Sequence, residues 1–156
     1  MKTLVLYATK HGAAAEIARR IASRIDGAAI HDLKQGGVPP LDGFDCVIVG
    51  ASLYAGMVRK EAKEFVAKNA AVLRGKKLGL FLSGLDGSKE TEYFDSNFPA
   101  DILQTAKAAN FLGGIFDPKK AGIVGRIVMK AVAKQSEYTD NINDGKIAEF
   151  AEALMV

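Results

Sequence analysis

Tryptophan is absent, so a flat ligand in this protein can be stacked only on tyrosine or phenylalanine. Cysteine occurs once, at Cys46, which rules out an internal disulfide. It lies in the apolar run Cys46-Val47-Ile48-Val49 and reads as a buried structural thiol rather than a redox centre. Only two histidines are present, and nowhere do His, Cys, Asp and Glu fall at ligand spacing, so no metal is expected. No nucleophile–base arrangement stands out, and no catalytic side chain is assigned. No apolar run approaches the length of a membrane span. The formal net charge is only +3 over 156 residues, with no lysine–arginine block interleaved with aromatics, which argues against nucleic acid as a partner. From Met1-Lys2 the chain passes directly into an apolar run with no room for a leader, so the expectation is a cytoplasmic protein. Internal repeats and linkers are lacking, and residues 1–156 are expected to form a single domain.

What is present is an alternation of short apolar runs and helix-periodic stretches. Residues 3–8 read as a strand covered on both faces, followed by a helix over about residues 14–25. In that helix Ile17, Ala18, Ile21, Ala22 and Ile25 share one face, and Arg19, Arg20 and Arg24 are expected in water. Residues 28–33 form a weaker edge strand, and the glycines and prolines of 34–40 make a crossover loop. Residues 44–51 are the clearest central strand. A loop over 52–58 leads to a helix over about 60–74, a buried strand over 78–83 and a polar loop over 84–97. Phe98-Pro99 opens a helix with Ile102, Leu103, Ala106 and Ala109 inward, and 110–116 is a fifth strand in which Gly113-Gly114 permits close packing. A last helix covers 144–154. The pattern predicts an α/β, doubly wound, five-stranded parallel sheet in the order 2-1-3-4-5.

The chain is organised around its first turn. Thr9 brings a hydroxyl, Lys10 a cation, Gly12 the freedom of a positive φ, and Ala13, Ala14 and Ala15 the small side chains that let a ligand reach backbone amides at a helix start. This reads as a phosphate cradle, although strand–Thr–x–x–Gly–helix also describes an ordinary strand-to-helix turn. In a doubly wound sheet the ligand sits beyond the carboxyl ends of the strands where their order reverses. That rule selects Thr9, Lys10, His11, Gly12, Ala13 and Ala14, then Ser52, Leu53, Tyr54, Ala55 and Gly56, then Ser83, Gly84, Leu85 and Asp86. Tyr54 is either the stacking partner of a flat ring or a surface tyrosine. His11 stands beside the cradle and can gain a proton when an anion binds, whereas His31 reads as a surface residue of the edge strand.

Three other anion sites are excluded. A triphosphate loop needs Lys-Ser/Thr at the helix start, where this chain has Ala14-Ala15; a dinucleotide turn needs three glycines, and only Gly12 is there. A phosphoacceptor site needs acidic strand ends, but these read Tyr7-Ala8-Thr9 and Val49-Gly50-Ala51. A mononucleotide phosphate carrying a flat ring survives.

Thr9-Lys10-His11-Gly12 and the run Val47-Ile48-Val49-Gly50-Ala51-Ser52-Leu53-Tyr54-Ala55-Gly56 resemble the phosphate loop and first ring-binding loop of flavodoxin-like FMN proteins. Within them the chain is most similar to the menaquinone-dependent protoporphyrinogen oxidase branch, through Met1-Lys2-Thr3-Leu4, Gly50-Ala51-Ser52, Ile127-Val128-Met129-Lys130 and Tyr138-Thr139-Asp140. The resemblance implies non-covalent FMN, with Thr9 and the amides of 10–14 on the phosphate, 52–56 along one side of the isoalloxazine and 83–86 at its other edge. It further implies an oxidoreductase passing electrons between FMN and a quinone or porphyrinogen-type small molecule. The alternative is a one-electron carrier serving a redox partner protein, and a flavin-free module that kept the fold is a third reading. Ala14 stands where such loops usually carry a hydroxyl, which removes one phosphate hydrogen bond worth about 1–2 kcal/mol.

An extra segment separates strand 5 from the last helix. Residues 121–134 read as a helix with an apolar stripe and a ridge of Arg126, Lys130 and Lys134. The ridge is either a solvated face or, with the rest of 119–134, a contact for an anionic membrane surface, a quinone or a carboxylate-bearing substrate.

Overall fold

A computed structural model describes residues 1–120 and 137–156. The first strand, β1 (Thr3–Ala8), leads into α1 (Ala13–Ala22) and the edge strand β2 (Ala29–Asp32). The crossover to β3 (Cys46–Tyr54) is the expected irregular segment, with single 3-10 turns at Leu33–Gln35 and Leu41–Gly43. After β3 come β4 (Met57–Val58), α2 (Lys60–Lys68), α3 (Ala70–Leu73), β5 (Lys77–Ser83), α4 (Glu90–Asn97), α5 (Ala100–Thr105), β6 (Ala108–Phe111), β7 (Ile115–Phe116), β8 (Thr139–Asp140) and α6 (Asp144–Met155).

The main sheet runs β2-β1-β3-β5-β6, all parallel, which is the predicted order, and the short β4 adds an antiparallel strand beside the end of β3. Because successive strand residues point to opposite faces, two cores form. Leu4, Leu6, Val47, Val49, Leu80 and Leu82 pack with Ala62, Val66, Leu73, Phe94 and Ile102 of the helices on one side. Val5, Ile48 and Phe81 pack with Ile17, Ala18 and Ile21 of α1 and with Ile147, Phe150 and Leu154 of α6 on the other. Each such fully buried aliphatic or aromatic side chain contributes about 1.5–3 kcal/mol. Cys46 is fully buried and unpaired, and burial pushes its thiol up from the ordinary range, as suits a structural group.

Several elements differ from the sequence-based expectation. The polar stretch 84–97 contains α4, whose buried residues are only Phe94 and Asn97 and whose first turn is stabilised by Glu90 and Glu92 near the positive end of the helix dipole. The helix expected over 60–74 breaks at Asn69, whose side-chain amide donates to the Phe65 carbonyl at 2.8 Å. The following helix stops at Thr105, so Ala109 belongs to β6 rather than to a helix face. The fifth strand is not continuous to 116: Gly113, with φ +91°, breaks it, and Ile115–Phe116 pair instead with Thr139–Asp140 in a separate two-stranded antiparallel sheet. Close packing at Gly113-Gly114 is real. A Cβ on Gly114 would lie 2.5 Å from the Gly84 carbonyl oxygen, and one on Gly113 would lie 2.0 Å from that of Asn141. Arg20 is half-buried rather than solvated and binds Glu16 at 3.1 Å, Asp144 at 3.3 Å and Asp140 at 3.7 Å, tying α1 to β8 and α6. His31 lies in β2 as expected, its ring nitrogen 2.6 Å from the Gly36 carbonyl oxygen. The helix read over 121–134, with the ridge Arg126, Lys130 and Lys134, lies outside the described residues.

Candidate functional site at the carboxyl edge of the sheet

The register sets Ala8 beside Ala51 and Ser52 beside Ser83, so β1, β3 and β5 end together at one edge. The strand order reverses between β1 and β3, where an open parallel sheet leaves a crevice.

At the first turn Gly12 has φ +104° and serves as the N-cap of α1. The Thr9 hydroxyl oxygen accepts from the Gly12 amide at 2.8 Å, and the Gly12 carbonyl accepts from the Glu16 amide at 3.0 Å. The amides of Ala13, Ala14 and Ala15 therefore open a helix where no preceding turn supplies them with carbonyls. Lys10 donates its backbone N–H to the Ser52 hydroxyl oxygen at 3.0 Å, stitching the turn to β3. Thr9 and Ser52 each keep an O–H to donate. Lys120 Nζ lies 3.5 Å from the His11 carbonyl oxygen and 3.6 Å from where a Gly12 Cβ would stand. His11 is held below its ordinary range, first by desolvation and then by the charges of Lys10, Lys120 and Arg59. The turn thus combines free amides with a local excess of positive charge.

The second segment is not the expected loop. β3 continues to Tyr54 and returns as β4 through a two-residue turn in which Ala55 (φ +51°) and Gly56 (φ +78°) both take the left-handed region, as a tight hairpin between right-twisted strands requires. The hairpin is anchored from α4: the Asn97 side-chain oxygen accepts from the Val58 amide at 3.2 Å, and its amide group donates to the Tyr93 carbonyl at 2.8 Å and to that of Gly56 at 3.4 Å. Tyr54 is left 37 % exposed, with Lys10 Nζ only 3.2 Å from its ring centroid.

In the third segment Ser83 ends β5, and Gly84 donates its N–H to the Gly113 carbonyl at 3.1 Å. Asp86 turns away to accept from the Ser88 amide at 2.9 Å, and that bond, before any other cause, holds its carboxyl below the usual range. Ser83 is 1 % exposed, and its Oγ has no hydrogen-bond partner among the described residues. A buried hydroxyl left unpaired costs on the order of 1–3 kcal/mol, which a polar ligand would relieve.

Between the three segments lies a cavity whose space, with its open mouth and adjoining solvent included, is about 670 Å³. Lys10, His11, Ala13, Ser52, Leu53, Tyr54, Ser83, Gly84 and Leu85 line it. Thr9, Gly12, Ala14, Ala55, Gly56 and Asp86 are not on its wall; Thr9 and Gly12 shape the turn, Gly12 also bordering a second, more polar cavity with Glu16, Arg19 and Arg20. The sequence reading missed Ile115, Phe116 and Asp117, which close the far side, and Lys120. The signal available for them was Gly113-Gly114: a strand that ends in two glycines can turn back across the edge instead of extending it. No group of three or more His, Cys, Asp and Glu suited to a metal occurs among the described residues.

A family model described as Flavodoxin domain matches residues 4–143. The chain belongs to the flavodoxin-domain family. Within this family the chain is 35 % identical over 80 residues to protoporphyrinogen IX dehydrogenase (quinone) of Escherichia coli strain K12, a match covering 47 % of this chain and 42 % of that protein. In that match the chain spans less than half the length of the curated relative. Across whole chains this flavodoxin-domain protein is similar to oxidised flavodoxin 2 from Bacillus cereus, with a TM-score of 0.62, 18 % identity, and coverage of 99 % of this chain and 98 % of that one. It is similar likewise to a short-chain flavodoxin associated with a non-canonical PDU bacterial microcompartment, with a TM-score of 0.62, 18 % identity and coverage of 99 % and 97 %. A Fusobacterium nucleatum flavodoxin bound to flavin mononucleotide gives a TM-score of 0.53 at 14 % identity, covering 99 % and 96 %. At these identities the structural likeness establishes the shared fold.

Proposed function

We propose that the chain binds FMN non-covalently in this cavity and serves as a redox protein. The observation that carries the reading is convergence: amides with a positive surround at one end, an apolar and aromatic slot at the other, and an unpaired buried hydroxyl on the wall between them. The residues fit the group. The amides at the start of α1, where Ala13 is on the wall and the Thr9 turn and Ala14 and Ala15 lie just beside it, would hold the phosphate, and Leu53, Tyr54 and Leu85 would flank the ring. Ser83 would meet a polar atom of the ligand. FMN, when bound, supplies reversible one- and two-electron chemistry; the chain's own residues bind it, orient it and limit water access.

For the reaction, an oxidoreductase acting on a quinone or porphyrinogen-type small molecule is supported by the stretch shared with the E. coli dehydrogenase and by two cations at the first turn, Lys10 on the cavity wall and Lys120 beside the His11 carbonyl, which favour a carboxylate-bearing substrate. The alternative, a carrier for a partner protein, draws on the fold shared with flavodoxins over nearly the whole chain. Among the described residues no helix is long and apolar enough to cross a membrane.

The test is titration of the purified chain with FMN, followed by quenching of flavin fluorescence. Binding is expected to be saturable and to fall on the order of tenfold or more in Gly12→Val, because a β-branched residue is strained at φ +104° even though its Cβ would meet only Lys120 Nζ, at an ordinary contact distance of 3.6 Å. Unchanged affinity in a folded Gly12→Val protein rejects the assigned cradle, and absence of any binding by the unmodified chain rejects the function. Turnover with a quinone then separates enzyme from carrier.

A further inference from the structure

Lys10 is an exposed lysine whose ammonium rests on an aromatic face rather than on an acid. Among the described residues it forms no ion pair; it sits 3.2 Å from the centroid of Tyr54, at the distance of a direct cation–π contact. Both residues line the same cavity. The backbone on either side is fixed, since Lys10 N–H is bound to Ser52 and Thr9 pins Gly12, so the side chain alone can move. Its placement has a physical cause. Lys120 already charges the neighbourhood of the turn, its Nζ 3.5 Å from the His11 carbonyl oxygen and 3.6 Å from where a Gly12 Cβ would stand. Without an anion there, the Lys10 ammonium is repelled from the turn and the electron-rich face of Tyr54 is its best remaining partner.

Resting on the FMN reading above, we propose that Lys10 makes the site selective for phosphorylated ligands, by covering the Tyr54 face that a flat ring needs until an anion at the 9–14 turn draws it away. A ligand with both ring and phosphate displaces the ammonium from the tyrosine and pairs with it in the same event. A ring without phosphate must displace it and returns it to solvent with no anion to pair with. Lys10 is therefore a specificity residue that acts against the unphosphorylated ring, over and above any attraction for the phosphate.

The test compares FMN with riboflavin, which has the same ring and no phosphate, on the full chain and on Lys10→Met, with circular dichroism to check the fold. In Lys10→Met, riboflavin is expected to bind about tenfold more tightly, the scale of one exposed-to-partly-desolvated cation–π contact, while FMN holds or weakens. Inorganic phosphate, against chloride at equal ionic strength, is expected to tighten riboflavin binding to the unmodified chain and to have no such effect on Lys10→Met. Lys10→Arg, whose guanidinium also stacks on aromatic faces, is expected to keep the discrimination. If Lys10→Met loses FMN affinity but leaves riboflavin unchanged, lysine merely attracts phosphate and the proposal is overturned, with the FMN reading intact. If the unmodified chain binds neither flavin, the FMN reading falls and takes this inference with it.

Discussion

At the scale of single residues, the site's backbone and its charges are both set against the ordinary preference. Ala55 is the one non-glycine with positive φ among the described residues, a conformation costing an L-residue on the order of 1–2 kcal/mol, and it sits at the tip of the hairpin that presents Tyr54. His11 is similarly unfavourable when charged. Its folded-state pKa lies below the 6.5 of an unperturbed histidine, with desolvation first and Lys10, Lys120 and Arg59 after it. The unfolded chain therefore binds more protons than the folded one between that lowered pKa and 6.5, and stability falls as pH drops through this window. Below the lowered pKa the penalty is complete and the slope from this group vanishes. His11→Gln removes it: the unmodified protein is expected to lose more thermal stability than the variant between pH 7 and pH 5, with the two alike at pH 7.5 and above. Parallel losses across that range would show that His11 titrates as it does in the unfolded chain.

At the scale of elements, two glycines decide how closely α6 approaches the sheet. A Cβ on Gly79 of β5 would fall 2.7 Å from Leu154 Cδ1 and 2.9 Å from Phe150 Cζ, both on α6. On Gly50 of β3 it would fall 1.9 Å from the end of the Phe81 ring, itself packed edge-to-face on Phe150 with centroids 6.2 Å apart. All three side chains are fully buried, but the overlap at Gly50 is far deeper, 1.9 Å against 2.7 Å. Gly79→Ala is expected to cost about 1–3 kcal/mol in urea unfolding and Gly50→Ala more, as overpacking in a filled core does; equal midpoints for all three proteins would mean that α6 is free to shift outward. Elements of this kind also mark what could be read without coordinates. The apolar runs at 3–8, 44–51 and 78–83 need no partner to be recognised, because burial on both faces writes itself into consecutive residues, and the chain-reversal rule then locates the crevice. α4 escaped because its only buried residues, Phe94 and Asn97, make too narrow a stripe for helical periodicity, and Asn97 is buried for its bonds to the hairpin rather than for hydrophobicity. The closing wall at Ile115, Phe116 and Asp117 escaped because it depends on pairing with Thr139–Asp140, a contact between distant positions that no local pattern encodes.

At the scale of the whole molecule, the cavity is built from the ends of β1, β3 and β5 together with the segment after β6, parts otherwise joined at this edge by few bonds, among them Lys10 to Ser52, Gly84 to Gly113 and Asn141 to Gly114. A ligand touching all of them binds the assembled sheet and not the unfolded chain, so its binding free energy adds directly to stability. At a free FMN concentration 100 times the dissociation constant the gain is about 2.7 kcal/mol. For a chain of 156 residues each kcal/mol moves the melting temperature by roughly 2–4 °C, giving a rise of roughly 5–11 °C. The rise should grow with the logarithm of ligand concentration, since it follows mass action, and it should shrink in Gly12→Val in proportion to the lost affinity. A melting temperature unmoved by FMN at concentrations that saturate the fluorescence titration would mean that the flavin binds folded and unfolded chains alike. The bound molecule would then be resting on exposed aromatic surface, and the three turns would not share a guest.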